Sequence, residues 1–254
     1  MFYCDDDLKN LEKSAKYLSK ILNQIKLVIQ NGERDLYELD YLAQKLLKDY
    51  KCKSAFKNYK PDFSKVAYKY HICTSVNDEI VHGLPSKGRI VKEGDILSVD
   101  MALEHNGWYA DAAFTIGIGQ IKDSHKKLIE TAELAFKTGL DLCYPGKTTG
   151  DIGFGIHTTA RKNGFEIAYG LTGHGIGKSL HEKPNIYNHG PAAYGEIIME
   201  GMSLCIEPLI VEGSHVIAEQ PDGWTFKTSD GLMAAHYEHT VAVESARTLV
   251  LTEF

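Results

Sequence analysis

The sequence lacks any apolar run approaching 18 residues, so it offers no membrane-spanning helix and no membrane partner is expected. Its first ten residues, MFYCDDDLKN, are acidic and hold no signal-peptide hydrophobic region. The chain is therefore expected in the cytoplasm. An excess of positive charge is also missing. Lys and Arg number 28 against 34 Asp and Glu, a net charge of −6, so nonspecific attraction to nucleic acid is not expected. Cysteine is scarce and odd in number: Cys4, Cys52, Cys73, Cys143 and Cys205, with no C-x-x-C pair. Neither a disulfide framework nor a zinc finger is indicated. No linker rich in Pro, Gly or Ser divides the chain, and residues 1–254 are expected to form one domain.

What is present begins with helical periodicity. Leu8, Leu11, Ala15, Leu18, Leu22, Ile25 and Ile29 recur at spacings of three and four, the mark of an amphipathic helix. Asp5 to Asp7 can cap its start, and Asn31-Gly32 ends it. Leu39, Leu42, Ala43, Leu46, Leu47 and Tyr50 mark a second helix. Residues 51–70 are poorly patterned and read as a loop with some strand. A third helix is expected over 124–140, broken by Pro145-Gly146, and a fourth from Thr149 or Asp151 to Asn163-Gly164. Strands follow at 166–169, 203–211, 215–219 and 239–243. Helix, helix, strands thus occurs twice, over halves of about 5–122 and 123–254 that share no visible identity. This grouping predicts an α+β fold with helices packed on antiparallel sheet.

The stretch from Asp95 to Gly119 reads as two β-runs joined by Asn106-Gly107. Both turn residues tolerate positive φ, which suits a two-residue type I′ turn. The register then places Asp100 opposite Ala113 and Asp111 opposite Ala102. The two aspartates share a face and are diagonal neighbours, about 7–8 Å apart at Cβ. Two carboxylates so placed repel across an empty gap, and a divalent cation resolves the repulsion.

More polar groups gather in the second half. Gly173-His174-Gly175 sets a histidine among glycines, which permit strained turns and close approach. A lone histidine of this kind is more often structural than a ligand. Glu207 lies late in one apolar run, and Glu238 opens another. An unpaired buried glutamate is costly. Asp100, Asp111, His174, Glu207 and Glu238 together suit two divalent ions, and one nitrogen among oxygens favours Mn, Fe, Co or Zn. Such a pair can hold and activate a water.

These residues sit within a longer series of motifs: CTSVND (73–78), VHG (81–83), GHGIG (173–177), HEKP (181–184), IEP (206–208), DGWTFKT (222–228) and YEHT (237–240). In order and spacing the series resembles the methionine aminopeptidase family, in its short bacterial type I form. That resemblance implies the pita-bread fold, two pseudo-symmetric halves around a dinuclear metal site. It implies that Asp100 and Asp111 bind two divalent ions (Co, Mn, Fe or Zn), with Asp111 bridging. His174 and Glu207 complete the first metal, and Glu238 bridges both. Glu207 is also implied as general base. His82 and His181 would contact the scissile amide nitrogen and the developing oxyanion. Cys73 and Trp224 would border the methionine pocket, with Tyr68 and Leu180 in its wall. The implied substrates are nascent polypeptide N-termini whose second residue is small. By that rule Met1 is retained ahead of the bulky Phe2. A monomer is expected, with the ribosome as a candidate partner.

Two departures from the family pattern touch the pocket. The segment from Lys65 to Tyr70 looks short of the usual aromatics, and Leu180 stands where an aromatic is common. A wider or softer wall is the expectation. Prolidases and Xaa-Pro aminopeptidases share the five ligands but usually carry a large extra N-terminal domain. The 31 residues from Glu207 to Glu238 leave no room for the helical insert of type II enzymes. A non-catalytic pita-bread binding module is the remaining alternative, although such proteins typically lose ligands that are present here.

Overall fold

The computed structural model describes residues 4–61 and 64–254, so Met1 and Phe2 lie outside it. Two helices come first, α1 (Asp5–Gln30) and α2 (Leu36–Asp49). The cap of α1 is Cys4, whose N–H donates to Asp7 Oδ2 at 3.3 Å. The acidic run therefore forms the first turn and does not precede it. Asp35 caps α2 by accepting the Tyr37 N–H at 2.9 Å, which starts this helix ahead of its first apolar repeat. Strands β1 (Lys53–Ser54), β2 (Cys73–Val76), β3 (Glu79–Val81), β4 (Ile96–His105) and β5 (Trp108–Gly117) follow. Helices α3 (Asp123–Asp141) and α4 (Thr149–Lys162) open the second pass. Thr148 and Asp151 cap α4 reciprocally, each side chain bonding the other's backbone N–H.

The rest is sheet: β6 (Glu166–Ile167), β7 (Thr172–Gly175), β8 (Glu182–Tyr187), β9 (Ser203–Ile206), β10 (Leu209–Val211), β11 (Ile217–Glu219), β12 (Phe226–Thr228), β13 (Ala234–His236), β14 (Glu238–Val243) and β15 (Thr248–Val250). The run expected as one strand over 203–211 is two strands in two sheets. Glu207-Pro208 marks the break, since proline cannot donate to a ladder. All of β10 to β13 between Glu207 and Glu238 is strand and loop, as that short spacing requires.

Among the described residues one sheet holds nine strands, in the order β1-β4-β5-β14-β9-β7-β8, with β2 on β4 and β15 on β14. The two passes meet where β5 pairs antiparallel with β14. One face of this sheet is apolar. Leu97, Val99, Met101 and Leu103 of β4, with Ala110, Ala112 and Phe114 of β5, pack under α1 and α2. Leu204 and Ile206 of β9, with Val241 and Val243 of β14, pack under α3 and α4. Each fully buried Leu or Ile here, such as Leu18 or Ile156, contributes roughly 1.5–3 kcal/mol relative to exposure. Strand alternation then turns the intervening residues to the opposite face. That face carries Asp100, Asp111 and Glu238. No described helix is long and apolar enough to cross a membrane.

Candidate metal centre

The central hairpin has the register that its turn dictates. Asn106 and Gly107 have φ of 53° and 81°, and β4 and β5 pair without a bulge, Asp100 opposite Ala113 and Ala102 opposite Asp111. Ala113 is in turn the partner of Glu238 on β14. Cys73, Asp100, Ala113 and Glu238 therefore form one row across four strands. Glu207 extends that row, one residue past the Ile206–His239 pair. A second row is made by Thr240, Cys205 and His174. Thr240 reaches Asp111 through its hydroxyl, which accepts the Asp111 N–H at 2.9 Å and donates to the Asp111 carbonyl at 2.8 Å. Five neighbouring strands, β4-β5-β14-β9-β7, thus bring Asp100, Asp111, Glu238, Glu207 and His174 to one place.

The glycines around His174 serve close approach and not a turn. His174 lies within β7, and a Cβ on Gly173 would meet the Cys205 carbonyl oxygen at 2.4 Å. A Cβ on Gly175 would meet the Lys183 carbonyl oxygen at 2.3 Å. Both neighbouring strands press so tightly that only glycine fits beside the histidine.

The donor set fits divalent ions. Asp100, Asp111 and Glu238 offer oxygens that all lie within 4.8 Å of one another. His174 Nε2 is 3.7 Å from Glu207 Oε1 and 4.0 Å from Asp111 Oδ2. Asp100 Oδ1, Asp111 Oδ1 and Glu238 Oε1 are buried with no hydrogen-bond partner among the described residues. Burial, and then the Asp111 charge, pushes Asp100, Glu207 and Glu238 well above the carboxylate range. Asp111 is raised chiefly by burial. Four acids this close and this shielded from solvent cannot all ionise unless positive charge is supplied. The imidazole of His174 is held neutral by burial, its pKa lowered to about 3, which is its ligating form. Its Nδ1 faces the Gly175 carbonyl at 2.9 Å, and Nε2 is left toward the acids.

A cavity of about 660 Å³ opens on these groups. Cys73, Tyr68, Leu180 and Trp224 are buried in one apolar cluster at its side. Sequence reading missed two members of the wall, Phe56 and Tyr59, which come from the poorly patterned 51–70 segment. Tyr68 packs edge-on to Trp224 and to Phe56, at ring separations of 4.8 and 6.2 Å. Aromatic lining is therefore supplied here from a different stretch than Lys65 to Tyr70 alone.

His82 and His181 border the same cavity. His82 adopts φ of 59°, unusual for a residue with a Cβ and typical of functional sites. The following Gly83 passes so near Thr74 that a Cβ would lie 2.3 Å from its carbonyl oxygen. Burial lowers both imidazoles to about 4, so both are neutral. His181 Nδ1 lies 2.7 Å from the Tyr59 hydroxyl, and its ring stands 4.4 Å from that of His174. A further histidine, His236, also lines the cavity and went unnoticed in the sequence. It lies two residues before Glu238, and alternation along an extended chain could have flagged it. Burial holds it neutral, at about 3.

Comparison with known proteins agrees with this geometry. Residues 9–245 match the model of metallopeptidase family M24. A methionine aminopeptidase of Aquifex aeolicus is 35% identical over 253 residues, 99% of this chain and 98% of that protein. Methionine aminopeptidase 1 of Bacillus subtilis is 37% identical over 215 residues, 85% of this chain and 84% of its own. The crystal structure of methionine aminopeptidase from Thermotoga maritima superposes with a TM-score of 0.94 at 34% identity, covering 100% of this chain and 99% of that one. A prolidase from Pyrococcus horikoshii shares the fold, at a TM-score of 0.73 and 20% identity over 63% of its length. The buried acids and His174 stand on the curved sheet of a pita-bread fold, and the chain belongs to metallopeptidase family M24.

Proposed function

We propose that this protein is a metal-dependent methionine aminopeptidase, which hydrolyses the N-terminal methionine of nascent chains whose second residue is small. The observation that carries this reading is adjacency. An apolar pocket of Cys73, Tyr68, Leu180 and Trp224 opens in one cavity beside buried Asp100, Asp111, His174 and Glu238 and partly buried Glu207. An unbranched thioether fits irregular apolar space of this kind well.

Asp100, Asp111, His174, Glu207 and Glu238 would hold two divalent ions of the Co, Mn, Fe or Zn class. When bound, such a pair polarises a peptide carbonyl and lowers the pKa of water. Glu207 would take the proton of the attacking water; in support, its carboxylate lines the cavity and Asn188 fixes its backbone through a 2.8 Å bond to its carbonyl. The same proton can then go to the leaving amine. Neutral His181 has Nδ1 2.7 Å from the Tyr59 hydroxyl; in the tautomer that accepts this hydroxyl at Nδ1, its Nε2–H would donate toward a developing oxyanion. Neutral His82, opposite Trp224 in the cavity, is suited to the amide nitrogen. Tyr59 would orient His181, and the tight passage of Gly83 against Thr74 would fix the backbone next to His82. The reading assigns the enzyme to the cytoplasm, where nascent N-termini arise.

The test is turnover of Met-Ala-Ser against Ala-Pro-Ala by the purified protein with Mn, Fe or Co. Release of methionine from the first and little from the second is expected. Preference for Ala-Pro-Ala would move the function to Xaa-Pro cleavage, and no turnover with metal bound would favour a binding module.

A further inference from the structure

We propose that His236 is a sixth metal ligand of this centre, its Nε2 joining Glu207 and Glu238 around a divalent ion; this rests on the metal-centre reading above. His236 ends β13 and Glu238 opens β14, with Tyr237 between them. Residues two apart in an extended chain face the same side, and here that side is the cavity.

His236 is 2% exposed, and neither ring nitrogen has a hydrogen-bond partner among the described residues. Leaving a buried polar atom without a partner is unfavourable, so a group that satisfies the ring is called for. The neighbouring carboxylates do not supply a hydrogen bond. Nε2 is 3.5 Å from Glu238 Oε2 and 3.8 Å from Glu207 Oε2, beyond good hydrogen-bond range.

The same distances suit a shared ion. Two ligands each about 2.1 Å from a tetrahedral ion lie about 3.4 Å apart. His174, the nitrogen donor anticipated from sequence, stands 3.7 Å from Glu207 Oε1 and 4.0 Å from Asp111 Oδ2. His236 is as near to its acids as His174 is to its own. The two oxygens of Glu207 divide between the imidazoles, Oε1 toward His174 and Oε2 toward His236. Glu207, His236 and Glu238 also offer three ligand atoms within 4.8 Å of one another. A second imidazole makes the donor set softer. It shifts preference toward Zn, Co and Fe and away from Mn and Mg.

The experiment uses the full chain, stripped with chelator and reloaded with Zn(II) or Co(II), as wild type, His236→Gln and His236→Ala. Zinc X-ray absorption counts imidazoles, the Co(II) visible spectrum reports coordination, and calorimetry gives affinity. Two imidazoles per chain are expected in the wild type and one in each variant, with a shifted Co(II) band and affinity weaker by about tenfold or more. Glutamine retains the volume and hydrogen-bonding capacity needed for a merely positioning role. A His236→Gln protein with wild-type spectrum and affinity would overturn the proposal, and so would a single imidazole in the metal-loaded wild type. If His236→Ala does not fold, His236→Gln alone decides. A wild type that binds no ion would instead overturn the metal-centre reading itself.

Discussion

Asp100 and Glu238 have the same register partner: Ala113 lies directly across from each, on the strand between them. The small side chain of Ala113 leaves the two carboxylates a clear path toward each other, with Asp111 two residues along the same strand. The space between the two carboxylates is thus floored by a methyl group.

Ala113→Leu should fill that floor. Overpacking typically costs about 1–3 kcal/mol, which a chain with this core can absorb. The expected outcome is a folded protein by circular dichroism that has lost at least one ion by elemental analysis. Undiminished metal content in this variant would show that the ions sit elsewhere.

Asp111→Ala removes the acid at the middle of the cluster, facing Asp100 and Glu238 on one side and His174 on the other. Loss of bound metal and of nearly all activity is expected. Unchanged metal stoichiometry would count decisively against its bridging role.

Much of this arrangement is legible in the sequence because local rules govern it. Asn106-Gly107 fixes the turn, the turn fixes the register, and the register puts Asp100 and Asp111 on one face. Apolar periodicity likewise gives the body of each helix. Non-local pairing is what the sequence hides. The glycines beside His174 allow either a turn or a close approach when read alone, and only the pressing Cys205 and Lys183 carbonyls decide between them. The apolar run 203–211 reads as one strand through Pro208, and nothing local says that β9 and β10 enter different sheets. Tyr59 lies 122 residues from His181, in a stretch without periodicity, so its bond to that imidazole has no local signature.

Metal binding should expel protons. Asp100, Glu207 and Glu238 are held well above the carboxylate range, and Asp111 is raised to about 7. The metal-free site therefore retains protons near neutrality, and an ion that needs carboxylates must displace them. Affinity should rise with pH, and calorimetry in buffers of different ionisation enthalpy should register net proton release. The stability of the metal-free protein follows the same signs. Raised acids stabilise the fold below their unfolded pKa near 4, and this contribution is lost as pH rises through the raised values. His82, His174, His181 and His236, lowered to about 3–4, add stability as pH rises toward 6.5. Above 6.5 only the acids still change. Thermal stability without metal should fall there, and added Zn(II) or Co(II) should restore it. Binding without proton release at pH 6.5 would show that the acids are already ionised.

His181→Ala should lower kcat by about 10²–10³, the effect of losing one oxyanion donor elsewhere, with little change in metal affinity. Tyr59→Phe removes the hydroxyl that lies against His181 Nδ1. It should leave the imidazole free to take its other tautomer, lowering kcat by a smaller factor and altering its pH profile. Loss of metal from His181→Ala would require a different ligand set, and a Tyr59→Phe protein with the wild-type profile would remove Tyr59 from any positioning role.

The pocket itself sets the last expectation. Phe56, Tyr59, Tyr68 and Trp224 line one cavity with Leu180 and Cys73, so methionine should be accepted into an apolar, largely aromatic wall. Leu180 contributes a flexible branched side chain to that wall. A change of a few methylenes alters discrimination by only ~1–3 kcal/mol. Weak release of norleucine or leucine is therefore expected from Xaa-Ala peptides, and conversion to another residue class is not. Leu180→Phe should suppress that leakage while leaving Met-Ala cleavage and metal content near wild type. The second residue should have to be small, so Met-Ala and Met-Ser peptides should be cut and Met-Phe peptides spared. A panel of Met-Xaa and Xaa-Ala peptides measures both limits together. Efficient cleavage of Met-Phe would sink the rule for the second residue and leave the metal chemistry standing, whereas preferential release of alanine would show that the apolar pocket does not select the first residue.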